Sequence, residues 1–194
     1  MCAEAAVNDL FELFEKYGQD DYLGEPVSKA VHSIQCGMLA EMEGYDIPVV
    51  LGAFFHDIGH LEGERRGSKQ MMLEGTNLGI VNHAALGAEL LQSKGFPCAV
   101  TDIVRAHVDA KRYLCSVDKD YYQKMSWASK GTLQFQGGPM NQHQIEAFES
   151  HLLHKIFVKM RTWDEKAKDP QWTDLKPISY FKHMALAYLQ ELHL

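Results

Sequence analysis

Residues 49–55, VVLGAFF, run without a polar interruption into His56 and Asp57, and one turn further on comes His60, in the stretch FFHDIGH. An apolar run with no polar face must be covered on every side, so the rest of the chain has to wrap around it. The same run carries an imidazole and a carboxylate inward. A carboxylate withdrawn from water without partners costs several kcal/mol, so in folded proteins it is paired, hydrogen-bonded or bound to a cation. For an isolated His-Asp pair the plain reading is that Asp57 caps a loop and His56 bonds a neighbouring carbonyl.

The covering material reads as helical almost throughout. Val7, Leu10, Phe11, Phe14 and Tyr17 recur at helical spacing up to Gly18. Ser28 suits the cap of a second helix with Val31, Ile34, Met38 and Met42 inward, ending before Gly44. Pro48 fits the first turn of a third helix closed by Gly59, after which EGERRGSK reads as a surface loop. Further helices are expected over 82–94, from Pro97 past His107, and over about 141–150, 152–168 and 178–192. Between 111 and 139 the pattern weakens to a short helix near 118–125 and an irregular loop through GTLQFQGGP. No alternation of strand length stands out. The expected class is all-α, a compact bundle of about eight helices in one domain over 1–194. Its ligand-bearing core would span about 22–164, with the last helix packed on it.

The 46% hydrophobic content supports a sizeable core. A net charge of -7 argues against a nucleic-acid partner, yet permits a locally positive pocket for a small anion. No apolar run approaches the ~20 residues that cross a bilayer, and the N-terminus shows no secretory leader. The four cysteines are scattered without a CxxC pair, so reduced thiols that clip no metal, in a cytoplasmic protein with no membrane partner, are expected. No pattern speaks to oligomeric state. Ten histidines stand against nineteen Lys and Arg, which makes histidine the residue type to follow.

In chain order, His32, His56-Asp57, His83, His107 and Asp164 put four imidazoles and two carboxylates on separate helices, only the central pair being adjacent. Such a set suits two cations, with Asp57 bridging them through its two oxygens. His32, His56 and Asp164 would hold one, His83 and His107 the other. The two carboxylates would leave a divalent pair with a positive excess, which favours a chelating anion. Ligands of this kind suit iron, manganese or zinc alike.

This ordered set, with EKYGQDDYLGEPVS before the first ligand helix and HDIGH in the middle, resembles the HD-domain superfamily and, within it, the binuclear oxygenase branch. The resemblance covers about residues 17–164. It implies a mixed-valent Fe(II)/Fe(III) pair, O2 as co-substrate, and cleavage of the C–P bond of a small anionic 1-hydroxyphosphonate. The example it supplies is 2-amino-1-hydroxyethylphosphonate, converted to glycine and phosphate. It further implies that Tyr22 gates the second iron, that Glu25 receives the substrate amine, and that His60 hydrogen-bonds substrate or oxygen. Lys111, Arg161 and Ser129 would hold the phosphonate. Lys111 lies four residues after His107 and Arg161 three before Asp164, so each shares a helix face with a ligand. As residues alone, Lys111 and Arg161 would serve equally as exposed ion-pair partners, Tyr22 and Glu25 as loop decoration, and Ser126 as the anion contact in place of Ser129. A metal-dependent phosphohydrolase, which activates water with the same ligands, is the alternative.

Overall fold

The computed structural model describes residues 2–21 and 25–192. Tyr22 and His193 lie outside the described residues. The elements run α1 (Ala3–Tyr17), α2 (Lys29–Met42), α3 (Ile47–Phe55), α4 (Ile58–Arg66), β1 (Gln70–Leu73), β2 (Thr76–Ile80), α5 (His83–Ser93), α6 (Cys98–Val117), α7 (Tyr121–Lys124), α8 (Trp127–Phe135), α9 (Gln142–Glu149), α10 (His154–Lys166) and α11 (Ile178–Glu191). The class is all-α, as the periodicity implies, with one small hairpin added. No helix among the described residues is long and apolar enough to cross a membrane.

The apolar run forms α3, and Leu51, Ala53, Phe54 and Phe55 are wholly buried. Helices α2 and α6 flank it. Phe11 and Phe14 of α1 close over Phe54 and Phe55. Phe181 of α11 stacks on Phe54, with ring centroids 4.4 Å apart. Gly37 of α2 leaves the space that this ring fills, since a Cβ there would come within 2.5 Å of Phe181. The last helix is therefore part of the seal over α3.

Several expectations fail. Met42 is 71% exposed rather than inward, and Gly59 lies within α4 rather than closing α3. Three further failures concern whole segments. The EGERR part of EGERRGSK is the second half of α4 rather than a loop, with Gly67 capping it in the left-handed region, and its Glu62 and Gly63 are buried. Several of its charges are paired, Arg65 and Arg66 with Glu62 one turn back at 2.7 and 2.5 Å and Glu64 with Lys29 at 2.6 Å, so charge density alone misleads there. Next, β1 and β2 form an antiparallel hairpin in a segment that shows no strand pattern. Its two-residue turn, Glu74-Gly75, has both φ angles positive, 49° and 82°, as the tightest hairpin connections require. Finally, GTLQF belongs to α8, whose N-terminus Ser126 caps by accepting the Ser129 N–H at 3.2 Å.

Candidate metal centre

Helix α3 ends at Phe55 and α4 starts at Ile58, so His56 and Asp57 sit in the break between two consecutive helices. Asp57 occupies the capping position of α4 but makes no side-chain cap bond. Its carboxylate faces imidazoles instead. Oδ2 lies 3.4 Å from His56 Nε2 and 3.8 Å from His32 Nε2. Oδ1 lies 3.3 Å from His107 Nε2 and 3.5 Å from His83 Nε2. One oxygen thus addresses the rings from α2 and α3, the other the rings from α5 and α6. Asp164, on α10, places Oδ1 3.4 Å from His32 Nε2 and gives Oδ2 to Arg161. All six candidate ligands meet in one cluster.

The backbone sets the tautomers. His32, His56, His83 and His107 each donate from Nδ1 to a main-chain carbonyl, of Ala167 (2.8 Å), Ala53 (2.8 Å), Ile80 (3.1 Å) and Val104 (2.7 Å) respectively. A carbonyl only accepts, so each neutral ring keeps its proton on Nδ1 and turns the Nε2 lone pair to the centre. Those lone pairs meet in couples, His32 with His56 at 3.1 Å and His83 with His107 at 3.0 Å. Two lone pairs at that distance repel unless a proton or a cation lies near both. Adjacent ligands on an ion with bonds of about 2.1 Å would stand about 3.0 Å apart. Asp164 Oδ1, buried with no hydrogen-bond partner, is a further acceptor that a cation would satisfy. Burial disfavours charge on His56, yet Asp57 outweighs it and pushes the ring well above the ordinary imidazole range. Burial likewise opposes charge on the two aspartates. His56 holds Asp57, and Arg161 holds Asp164, well below the usual carboxylate range. The centre draws positive charge, and its donors fit a pair of metal ions.

His60 differs from the other four. The Ile80 N–H donates to its Nδ1 at 2.9 Å, so the neutral ring carries its proton on Nε2, 3.9 Å from Asp57 Oδ1. Burial lowers its pKa to about 4 and keeps the ring neutral near pH 7. Although it lies within ligand distance of Asp57 and His83, it is a donor facing the centre. Gly79, at φ 98°, presses the hairpin backbone against this ring, and a Cβ there would sit 2.3 Å from His60 Cε1.

Beside the cluster lies a narrow cavity, with room for the centres of water-sized atoms over about 40 Å³. That suits a small molecule. Lys111, Ser129, Thr132, Arg161, Glu25 and Lys168 line it. Lys111 and Arg161 are buried, so neither is an exposed ion-pair partner. Lys111 Nζ donates to Thr132 Oγ1 at 2.8 Å. Arg161 donates to the Tyr121 hydroxyl at 2.8 Å and to Ser129 Oγ at 3.2 Å. Ser126 is spent on its cap, which leaves Ser129 on the cavity wall. Glu25 reaches the cavity from its loop and is paired with Lys168 at 2.7 Å.

Four residues of the site escape a sequence reading. Thr132 and Tyr121 position the two cations from the segment whose pattern is weakest. Lys168 lies just past the C-cap of α10 at Ala167, so the i, i+4 helix-face rule does not reach it from Asp164. Cys36 follows His32 by the same interval, and its Sγ lies 3.9 Å from His32 Nε2. Ligand atoms of Cys36, His32 and His56 lie within 4.8 Å of one another, so this thiol is closer to the centre than its lack of a CxxC partner suggests.

Burial, reinforced by Arg161, lowers Lys111 to about pH 7. An anion bound beside it would raise that value, so anion affinity should be greatest below pH 7 and fall as the free-state lysine deprotonates. For the protein freed of metal, sulfate, a dianion throughout, should bind roughly tenfold more weakly at pH 8 than at pH 6. Titration calorimetry measures this. Lys111→Met should bind weakly at either pH with the slope removed, and a persisting slope would assign it to another group.

The HD domain family model matches residues 30–134. The chain is 35% identical over 185 residues to an uncharacterized protein of Acanthamoeba polyphaga mimivirus, an alignment spanning 95% of this chain and 82% of the relative. It is 38% identical over 156 residues to a 1-hydroxy-2-(trimethylamino)ethylphosphonate dioxygenase (glycine-betaine-forming) of Leisingera caerulea, covering 80% and 76%. It is 37% identical over 163 residues to a hydroxymethylphosphonate dioxygenase of Gimesia maris, covering 84% and 78%.

Proposed function

The chain belongs to the HD-domain family, and from that premise we propose that it is a di-iron, O2-dependent oxygenase that cleaves the C–P bond of a small 1-hydroxyphosphonate. 2-Amino-1-hydroxyethylphosphonate, which with O2 balances to glycine and phosphate, is one member of that class. The observation that carries the reading is the arrangement of four Nε2 lone pairs in two couples about the two oxygens of Asp57, beside a cavity with Lys111, Arg161 and Ser129 in its wall. Two relatives named as phosphonate dioxygenases support the reaction class.

His32, His56, Asp164 and Asp57 would hold one ion, and His83, His107 and Asp57 the other. When bound, the pair would supply Lewis acidity and one-electron chemistry toward O2. The chain's own groups do the rest. Arg161 and Ser129, already joined, offer donors to phosphonate oxygens, and Lys111 adds a positive charge with little water around it. His60 presents an Nε2–H held in place by the Ile80 amide, an oriented donor that needs no rearrangement as negative charge develops. The narrow cavity limits competing water.

Iron content and phosphate release from a 1-hydroxyphosphonate, with and without O2, test this on the purified protein. Two irons per chain and release that stops under anaerobic conditions are expected. Release that continues without O2 would replace the oxygenase reading by a hydrolytic one.

A further inference from the structure

We propose that Lys168 is a specificity-determining residue that, by neutralising Glu25, commits the cavity to 1-hydroxyphosphonates that lack a cationic amine. The inference rests on the oxygenase reading above and narrows its substrate. Among the described residues, the carboxylates lining the cavity are Glu25, Asp57 and Asp164. Asp57 and Asp164 are turned to the imidazoles and Arg161. Glu25 is the acidic group left to receive a substrate cation, and an internal ammonium, Lys168 Nζ, already sits 2.7 Å from it. The two side chains are only 16% exposed, so the pair is weakly screened by solvent. The loop bearing Glu25 is drawn together at its base by the bridge between Asp21 and Ser28. A substrate ammonium would have to compete with Lys168 for the carboxylate and would bring a second cation next to it in a weakly screened place. An amine-free substrate meets no such cost, and the positive side of the pair adds to the field of Lys111 and Arg161 for its phosphonate.

For hydroxymethylphosphonate the reaction balances with O2 as oxidant: the C–P bond breaks, carbon and phosphorus each gain an oxygen, and formate and phosphate leave. Three probes decide the matter with the iron-loaded protein: hydroxymethylphosphonate, 2-amino-1-hydroxyethylphosphonate and its N-trimethylated analogue, each followed by kcat/KM for phosphate release. The unmodified protein should favour hydroxymethylphosphonate. Lys168→Met frees Glu25 and should shift the ratio toward the amine-bearing probes by about ten- to hundredfold. Lys168→Arg, which keeps the charge, should retain the original order. Glu25→Gln should lower the amine-bearing rates in the Lys168→Met background, which separates a role in specificity from one in folding. An amine-bearing probe preferred by the unmodified protein, or a ratio unmoved in Lys168→Met, overturns this inference alone. Phosphate release from none of the three overturns the oxygenase reading and this inference with it.

Discussion

Asp57→Ala is expected to empty both candidate metal positions at once. Each carboxylate oxygen stands 3.3 to 3.8 Å from the two rings of a different couple of imidazoles, so one side chain serves two places. A change confined to an outer partner of a ligand commonly costs 10–100-fold in metal affinity, and loss of a shared ligand should cost about 100-fold or more at each position. The helices should survive. The break between α3 and α4 is held by main-chain groups, including the His60 N–H to Asp57 O bond at 2.9 Å, and alanine keeps these. Elemental analysis beside far-ultraviolet circular dichroism is the check: helix content retained, ions reduced from two per chain to none. A variant that keeps one ion would assign Asp57 to a single position, and one that keeps two would remove it from the centre.

Gly59→Ala should be the most damaging single-methyl change in the chain's HDIGH stretch. A Cβ at residue 59 would lie 1.9 Å from the His83 carbonyl oxygen, 2.7 Å from its carbon and 2.8 Å from the Gly87 nitrogen. These neighbours are main chain and cannot rotate aside. The first turn of α4 must move away from the start of α5, and His83 is the first residue of α5. Overpacking of this severity costs about 3 kcal/mol or more, which for a chain of this length lowers Tm by roughly 6–12 °C. The His83 and His107 couple should open with it, so metal content should fall toward one ion per chain while the couple of His32 and His56 is kept. Calorimetry and elemental analysis on the same sample test both parts. An unchanged Tm would mean that α4 and α5 separate freely, and the close approach would then have no energetic weight.

Gly59 also shows where a local reading stops. By sequence it is a helix terminator after HD, because glycine following a helical run commonly ends it. In the structure it opens the next helix, and its missing side chain is used for contact with an element more than twenty residues away. The hairpin escaped for a related reason. Its alternation is short, and its packing partner, the buried Gly63 face of α4, lay in a stretch whose charges read as solvent-facing. Lys111 and Arg161 read equally as surface or cavity residues until Thr132, Tyr121 and Ser129 closed around them. The six candidate ligands stood out in the sequence because costly polar side chains recur on separate helices, and the structure brings those six into one cluster.

The amino-acid sequence by itself determined the helical class, the burial of the VVLGAFF run, and the identity of the polar groups carried inward. Periodicity and desolvation cost act over a few residues and leave their mark in the order of residue types. Only the tertiary structure decided which nitrogen of each imidazole faces the centre, that His60 donates where the other four rings accept, and that Glu25 meets Lys168 across the cavity. Those outcomes depend on directional contacts of about 3 Å between groups up to 143 residues apart, and no local pattern records them.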